Sequence, residues 1–176
     1  RDAIPLASLD ASYMINKDIG YIRLNKFAST TYHEFMDALI ALKKQGLQKL
    51  VLDHRGNGGG ILEEAVDIAD ELLDGDKLIT YTEGKHVAKK EYRCLRDGQF
   101  EKGALVVLAD EGTASASEIL IGALQAWDRA TIIGRRRFGK GLLQERYELS
   151  DGSALRWTHA RYYPPNGRSF QPHAPT

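Results

Sequence analysis

The sequence predicts an α/β fold built in layers, in which parallel strands are joined by crossover helices. Strand-sized apolar runs alternate along the chain with segments whose apolar residues recur at helical spacing. Such alternation favours a parallel sheet, because a strand that returns parallel to its neighbour needs a crossover connection. The predicted strands include 49–53, 104–109 and 130–134, and the predicted helices are 31–45, 61–73 and 115–127.

Shorter signals define the remaining elements. The predicted helix 31–45 is followed by Gly46, a residue type that commonly ends a helix. The charged segment 83–103 is expected to form a surface hairpin or lid, with a short strand at 91–95. Two further strands are predicted at 21–25 and 77–82, and a hairpin joins 142–149 to 154–158 through a turn at 150–153.

Length and composition fit a single domain that spans residues 1–176. Lys and Arg together number 24, as do Asp and Glu, so no basic excess points to nucleic acid or to an anionic membrane surface. No apolar stretch has the roughly 20 residues that a membrane-spanning helix needs. The single cysteine, Cys94, excludes an internal disulfide, and the five histidines show no metal-ligand spacing, so we expect no metal site.

Ser115 is the most informative residue of the chain. It lies between the strand-like run 104–109 and a helical segment, in a turn of small residues that begins at Gly112. A serine on a tight turn at the start of a helix exposes its hydroxyl near backbone N–H groups and the positive helix end. The alternative is structural, because Ser115 with Glu118 three residues later also matches a capping box. Taken alone, this segment favours the helix cap.

Lys140 lies between Gly139 and Gly141, so no adjacent side chain covers it. A lysine accepts a proton from serine only if its amine is neutral, which requires burial or an orienting polar group. Gln144 follows at the beginning of a predicted strand and can orient the amine without adding a charge. A solvated lysine in a glycine turn is the alternative, and it is favoured when this segment stands alone.

A glycine-rich turn at 56–60 follows the predicted strand 49–53 and precedes a helix. Backbone N–H groups in such a turn can point at an anion. A dinucleotide-binding fingerprint does not fit, because Ile61 stands where its third glycine is needed for helix–strand packing. An oxyanion hole fits these glycines at least as well.

Taken together, three segments resemble the C-terminal processing, or tail-specific, serine peptidases. Their order and separation both fit the family, and the likeness extends over about residues 4–171. The segments are Leu-Asp-His-Arg-Gly-Asn-Gly-Gly-Gly at 52–60, Glu-Gly-Thr-Ala-Ser-Ala-Ser-Glu-Ile at 111–119 and Phe-Gly-Lys-Gly-Leu-Leu-Gln at 138–144.

The resemblance implies roles for individual residues. Ser115 is the implied nucleophile, Lys140 its general base, and Gln144 the residue that positions the lysine. The implied oxyanion hole combines the N–H of Ala116 with that of a glycine, Gly59 or Gly60. The resemblance further implies the layered fold shared by Clp peptidases and crotonases, protein or peptide substrates cut near their C-termini, and no cofactor.

Family members usually carry a signal sequence and a substrate-sensing PDZ domain. We therefore expect residues 1–176 to be the peptidase domain of a larger exported protein, without its signal sequence, PDZ domain and C-terminal extension. The PDZ domain of the full-length chain is an expected partner. The implied location is extracytoplasmic, in a bacterial periplasm or cell envelope.

Three positions or segments call for separate interpretation. His54 stands where the family usually has an apolar residue, and we interpret it as a strand residue facing a polar environment, not as a catalytic histidine. Gly58 stands where many members have proline, a change that leaves the turn feasible. The three arginines at 135–137 are interpreted as a solvated turn rather than a site for a substrate carboxylate.

Two other functions remain open at this point. A crotonase-like acyl-CoA enzyme could use the same glycine N–H groups for an enolate, and it would need a carboxylate such as Glu118 directed into the site. A non-catalytic ligand-binding module could share the scaffold. The joint presence of Ser115, Lys140 and Gln144 argues against the binding module.

Overall fold

Two β-sheets and three helices form the computed structural model of the protein, which describes residues 7–171 and, at Glu145, the backbone alone. Most predicted elements are present, with boundaries that either coincide or differ by up to five residues. In chain order they are β1 (Leu9–Met14), β2 (Ile19–Leu24), α1 (Thr31–Lys44), β3 (Lys49–Asp53), α2 (Leu62–Leu72), β4 (Leu78–Gly84), β5 (Val87–Arg93), β6 (Ala104–Ala109), α3 (Ala116–Ala126), β7 (Thr131–Gly134), β8 (Leu142–Glu148) and β9 (Ala154–Tyr163).

The first sheet has the strand order β1-β2-β3-β6-β7. Strands β2, β3, β6 and β7 are parallel, with α1 connecting β2 to β3 and α3 connecting β6 to β7. The predicted α/β fold with parallel strands and crossover helices is thus confirmed. Because β3 and β6 are parallel neighbours, their carboxyl ends lie side by side, with Asp53 opposite Leu108. The segments that follow these two strands therefore emerge next to each other.

The second sheet is antiparallel, in the order β5-β4-β9-β8. The predicted strand 77–82 is β4 and belongs to this sheet, not to the parallel one, because it pairs with β5 and with the end of β9. The predicted hairpin is β8–β9, but β9 is longer than predicted. It continues to Tyr163, the residue before Pro164. The chain passes from β7 in the first sheet to β8 in the second, and Lys140 lies in this connection.

Strand β1, an antiparallel edge strand, has no counterpart among the predicted elements. None of its residues is fully buried, and its sequence contains Asp10 and Ser12, so it lacks the apolar run that marks the inner strands. In the predicted surface hairpin, the strand begins at Val87, earlier than the predicted 91–95, and ends at Arg93. Pairing with β4, which ends three residues before β5 begins, decides these bounds, and the charged residues of β5 give little strand signal of their own.

Helix α1 ends as its sequence predicts. Gly46 adopts a φ of 98°, a left-handed conformation that favours glycine. Its N–H donates to the carbonyl of Lys43, and the N–H of Leu47 donates to the carbonyl of Leu42. These are the two hydrogen bonds of a Schellman motif, which satisfy carbonyls that the helix end leaves without partners.

The hydrophobic core lies between the parallel sheet and the helices. Each fully buried large apolar side chain contributes about 1.5–3 kcal/mol relative to full exposure. None of the helices found between residues 7 and 171 is both long and apolar enough to cross a membrane. The largest fully buried side chains are Phe35, Ile22, Leu24, Leu39, Leu42, Leu50, Leu52, Ile68, Leu72, Leu73, Ile79 and Ile119.

Candidate active site

Ser115 lies in a strained turn, residues 112–115, which we call the serine turn. Its φ of 58° and ψ of −121° are unusual for a non-glycine residue. Such conformations cost on the order of 1–3 kcal/mol and persist only where the surroundings enforce them. Ser115 is also the N-cap of α3 and forms the predicted capping box with Glu118. Ser115 is therefore both a helix cap and a half-buried serine with a strained backbone.

The carboxylate of Glu118 joins the serine turn to the segment that carries Lys140. Glu118 is 2% exposed. Its Oε2 accepts the N–H of Ser115 at 3.1 Å and that of Lys140 at 2.7 Å, while Oε1 accepts the N–H of Gly139 at 2.9 Å. A buried carboxylate needs such charge-assisted partners to offset its desolvation. One buried side chain thus holds the backbones of the proposed nucleophile and base together.

A second contact connects the same two segments. Residues 135–141, which we call the lysine loop, approach the serine turn where the N–H of Phe138 donates to the carbonyl of Thr113 at 3.1 Å. At its other end, the carbonyl of Gly141 accepts the N–H of Tyr162 in β9 at 2.8 Å. Backbone hydrogen bonds therefore hold the middle of the lysine loop and its C-terminal end.

The glycine loop, residues 54–60, packs directly against the serine turn. A Cβ added to Gly59, whose φ is 92°, would lie 2.6 Å from the carbonyl oxygen of Ala114 and 2.8 Å from the nitrogen of Ala116. Only glycine permits that approach. The N–H of Ala114 also donates to the carbonyl of Asn57 at 3.0 Å. The fold thus places Gly59 next to Ala116, two residues that are predicted to form the oxyanion hole.

Ala116 supplies a backbone donor at this junction. It is the first residue of α3, where an N–H has no partner inside the helix. The next three N–H groups donate to the carbonyls of Ala114 and Ser115. No hydrogen bond from the N–H of Ala116 occurs within residues 7–171. This donor is therefore available to a ligand.

The two candidate glycines differ in availability. The N–H of Gly59 donates to Oδ1 of Asn57 at 2.9 Å. The N–H of Gly60 makes no hydrogen bond in the described part of the chain, although Gly60 bridges to Phe27. Nearness to Ala116 favours Gly59, and a free N–H favours Gly60.

Asn57 and Asp110 fix the shape of the glycine loop. The buried amide of Asn57 also donates from Nδ2 to the carbonyl of Leu24 at 3.0 Å. Oδ1 of Asp110 accepts the N–H of Gly56 at 2.8 Å and that of Gly112 at 3.0 Å, so it connects the glycine loop to the serine turn. These N–H donors, that of Gly56 above all, hold the pKa of Asp110 below its usual value.

The side chains of Lys140 and Gln144 are both exposed. Among the described residues, the Lys140 amine has no hydrogen bond to the Ser115 hydroxyl. Nε2 of Gln144 donates to Oγ1 of Thr158, its cross-strand neighbour in β9, at 3.1 Å. The fold thus brings the backbone of Lys140 to Ser115, whereas the lysine amine and the Gln144 amide remain apart from the hydroxyl.

Comparison with known proteins decides the family. The model of peptidase family S41 matches residues 18–175. The chain belongs to peptidase family S41. A carboxyl-terminal-processing protease of Synechocystis sp. is 42% identical to it over 149 residues, which are 85% of this chain and 34% of that protein. The chloroplastic carboxyl-terminal-processing peptidase 3 of Arabidopsis thaliana is 40% identical over 147 residues, 84% of this chain and 28% of that protein.

Solved structures agree with this S41 assignment. A photosystem II D1 C-terminal processing protease matches with a TM-score of 0.79 and 41% identity, over 86% of this chain and 39% of that one. A putative S41 protease from Bacteroides fragilis has a TM-score of 0.79 at 18% identity, over 95% of this chain and 49% of that one, and shows the same fold. The S41 chain described here spans roughly a third of the length of its curated relatives.

His54 occupies a different environment from the one we expected. The prediction of a strand residue facing a polar environment was wrong, because His54 follows β3, is 0% exposed and stacks on Phe27 with ring centroids 5.7 Å apart. Nδ1 lies 3.3 Å from Nδ2 of Asn57, and Nε2 has no hydrogen-bond partner among the described residues. Burial lowers the pKa of His54 to about 4, against a smaller opposing effect of Asp53. His54, the first residue of the glycine loop, thus buries its ring in the interior of this S41 domain.

This environment predicts a pH-dependent stability. The unfolded imidazole binds a proton below pH 6.5, whereas the folded one stays neutral down to a pKa of about 4. Stability is therefore lost as pH falls through this window, by up to about 3 kcal/mol at 1.36 kcal/mol per pH unit. We expect His54→Leu to remove this part of the decline, measured by urea unfolding at a series of pH values.

His33→Gln is the matched control, because His33 is 82% exposed and the same type of side chain. Its unfolding free energy should follow the pH profile of the unaltered protein. Parallel profiles for His54→Leu and the unaltered protein would contradict the prediction.

Several residues that shape the site carry no clear signal in the sequence. Asp110 has no predicted role, and Asn57 is predicted only as part of a glycine-rich turn. Thr113 donates from Oγ1 to the carbonyl of His54 at 2.8 Å, a contact without a local signal. Glu118 was recognised as a capping partner, but its hydrogen bonds to the lysine loop cross 21 and 22 positions of sequence. Glu118 is the one charged residue of the mostly apolar helix α3, which is the local sign that its carboxylate has a specific partner.

Proposed function

We propose that this S41 chain is the peptidase domain of a serine endopeptidase that cuts protein substrates near their C-termini. Ser115 is the nucleophile and Lys140 the general base. The observation that carries this proposal is the Glu118 carboxylate, which binds the N–H groups of both residues. A nucleophile and its base on distant segments need such a shared anchor to stay in register.

In the proposed reaction, the neutral amine of Lys140 removes the proton of the Ser115 hydroxyl as its oxygen attacks the scissile carbonyl carbon. The carbonyl π bond breaks and the tetrahedral oxyanion forms. The protonated lysine then gives its proton to the leaving amine as the C–N bond breaks, which leaves an acyl-enzyme. Water, deprotonated by the same lysine, then attacks the ester carbon, the C–O bond to Ser115 breaks, and the lysine returns the proton to the serine oxygen as the product acid leaves.

We propose that the N–H groups of Ala116 and Gly59 stabilise the oxyanion. Gly59 is preferred because its backbone packs against the nitrogen of Ala116. The oxyanion then replaces Oδ1 of Asn57 as the acceptor of the Gly59 N–H. Gly60, whose N–H makes no hydrogen bond within residues 7–171, is the alternative donor.

The lysine amine has to approach Ser115 for catalysis. Hydrogen bonds between catalytic groups are often long in free enzymes and shorten when substrate binds. We propose that substrate covers the exposed lysine loop and that Gln144 leaves Thr158 to orient the amine. The family resemblance supports a PDZ domain of the full-length chain as the partner that delivers substrate, and an extracytoplasmic location.

The proposal competes with two other functions. A crotonase-like acyl-CoA enzyme would need the Glu118 carboxylate as an acid or base, yet both of its oxygens accept backbone N–H groups and the side chain is 2% exposed. A ligand-binding module would not need a strained serine whose conformation costs free energy. These observations favour the peptidase.

A serine-directed acylating probe, such as a fluorophosphonate, tests the proposed function. We expect one covalent adduct per chain, detected by intact mass, and its complete loss in Ser115→Ala. Ser117→Ala is the matched control, because Ser117 lies two residues away, is 0% exposed and has no hydrogen bond from Oγ among the described residues. It should be labelled like the unaltered chain. Labelling that persists in Ser115→Ala would exclude Ser115 as the nucleophile.

A further inference from the structure

A basic pocket of about 510 Å³ opens beside the lysine loop. It lies between α3, the lysine loop and the segment 164–171 that follows β9. Phe170 packs over Gly122, where an added Cβ would lie 2.7 Å from its ring, and also contacts Gly141. Because Gly122 has no side chain, the Phe170 ring can lie directly against α3. The pocket borders the site, since Glu118 and Gly139 contribute to its wall.

Arg137 is the unusual residue of this pocket. The interpretation of 135–137 as a solvated turn holds for the exposed Arg135 but is wrong for Arg137, which is half-buried. Nη1 of Arg137 is buried without a hydrogen-bond partner among the described residues, and Nη2 has only a long contact of 3.4 Å with Oε1 of Gln125. Buried guanidinium donors normally have acceptors.

No anion within the described residues satisfies Arg137. Among the described residues that line the pocket, Glu118 is the only acidic one, and its oxygens already accept three backbone N–H groups. Burial lowers the pKa of Arg137, although the charge of Glu118 opposes this effect. Arg136 and Arg168 add two further positive charges at the pocket rim. The pocket therefore presents a desolvated cation and a surplus of positive charge.

We propose that this pocket binds the terminal carboxylate of the peptide tail that lies beyond the scissile bond. The inference rests on the proposed peptidase function and adds a subsite to it. A planar guanidinium binds a carboxylate with two parallel hydrogen bonds, and the free Nη1 of Arg137 supplies the first donor. Such a subsite selects substrates by the distance between the scissile bond and the free C-terminus, because the tail has to reach from Ser115 to Arg137.

Binding of paired peptides to Ser115→Ala tests the subsite without turnover. Both peptides have one sequence and an N-terminal fluorophore, but one ends in a carboxylate and the other in a carboxamide. We expect the acid to bind about tenfold more tightly by fluorescence anisotropy, which corresponds to 1.4 kcal/mol. The added substitution Arg137→Gln should remove the preference. The matched control, Arg135→Gln, should keep it, because Arg135 is 73% exposed and pairs with Glu111 outside the pocket.

Further measurements separate the possible outcomes. Arg168→Gln should partly reduce the preference for the acid peptide. This variant allows the subsite to be tested even if Arg137→Gln fails to fold. Acetate and phosphate serve as competitors: displacement of the acid peptide by acetate supports a carboxylate site, whereas displacement by phosphate alone contradicts it. Equal affinities of acid and amide, or a preference that survives both substitutions, would overturn the subsite. If the acylating probe labels Ser115 in that case, the peptidase function stands and only the subsite fails.

Discussion

Replacing Lys140 with alanine is expected to reduce kcat/KM for a peptide substrate by about 10⁴- to 10⁶-fold, the loss typical of removing the nucleophile or base of a catalytic unit. The reason is that Lys140 is the proposed base for the Ser115 proton, whereas the backbone N–H that binds Glu118 is retained. Because the Lys140 side chain is exposed, the free energy of unfolding should change by no more than about 0.5 kcal/mol. Fluorogenic peptide hydrolysis and urea unfolding measure the two effects.

Two further variants sharpen this test. Lys140→Arg keeps the positive charge but provides a guanidinium that does not lose its proton, so it should be as inactive as the alanine variant. Lys102→Ala is the matched control, because Lys102 is an exposed lysine that also precedes a glycine, far from the site in sequence. A Lys140→Arg variant with full activity would mean that the residue supplies charge and not proton transfer.

Glu118→Gln is expected to have the second large effect, on both activity and stability. The amide has one acceptor oxygen in place of two, and its NH₂ group would face a backbone N–H. Three charge-assisted hydrogen bonds therefore become at most two neutral ones, which should lower the free energy of unfolding by about 3 kcal/mol. Loss of the shared anchor should displace Ser115 from Lys140, and a displacement near 1 Å costs about 100-fold in rate.

The control for this variant is Glu111→Gln, a nearby carboxylate that is 66% exposed and pairs with the exposed Arg135. Its free energy of unfolding should change by less than about 0.5 kcal/mol, since surface ion pairs contribute little. Urea unfolding and kcat/KM are measured for both variants. A Glu118→Gln chain that hydrolyses peptide at the unaltered rate would disprove the anchoring role.

Several elements could be predicted from the sequence because their causes are local or periodic. Helix α1 was located from apolar spacing and from Gly46, and both of its Schellman hydrogen bonds lie within six residues. Strands β3 and β6 match their apolar runs, since strands in the middle of a parallel sheet are buried on both faces. The edge strand β1 has no fully buried residue, so its sequence carries only a weak pattern.

In the candidate site, too, some features could be predicted from the sequence and others depend on the tertiary structure. The sequence alone determined which residues are suited to the chemistry: Ser115 at the start of a helix, Lys140 between glycines, and glycines that permit close backbone approach. Only the tertiary structure decided how they meet, because the parallel pairing of β3 with β6 places the glycine loop beside the serine turn. The Glu118 carboxylate and the half-buried Arg137 follow from contacts between segments distant in sequence. Such contacts depend on desolvation and packing, which no local pattern records.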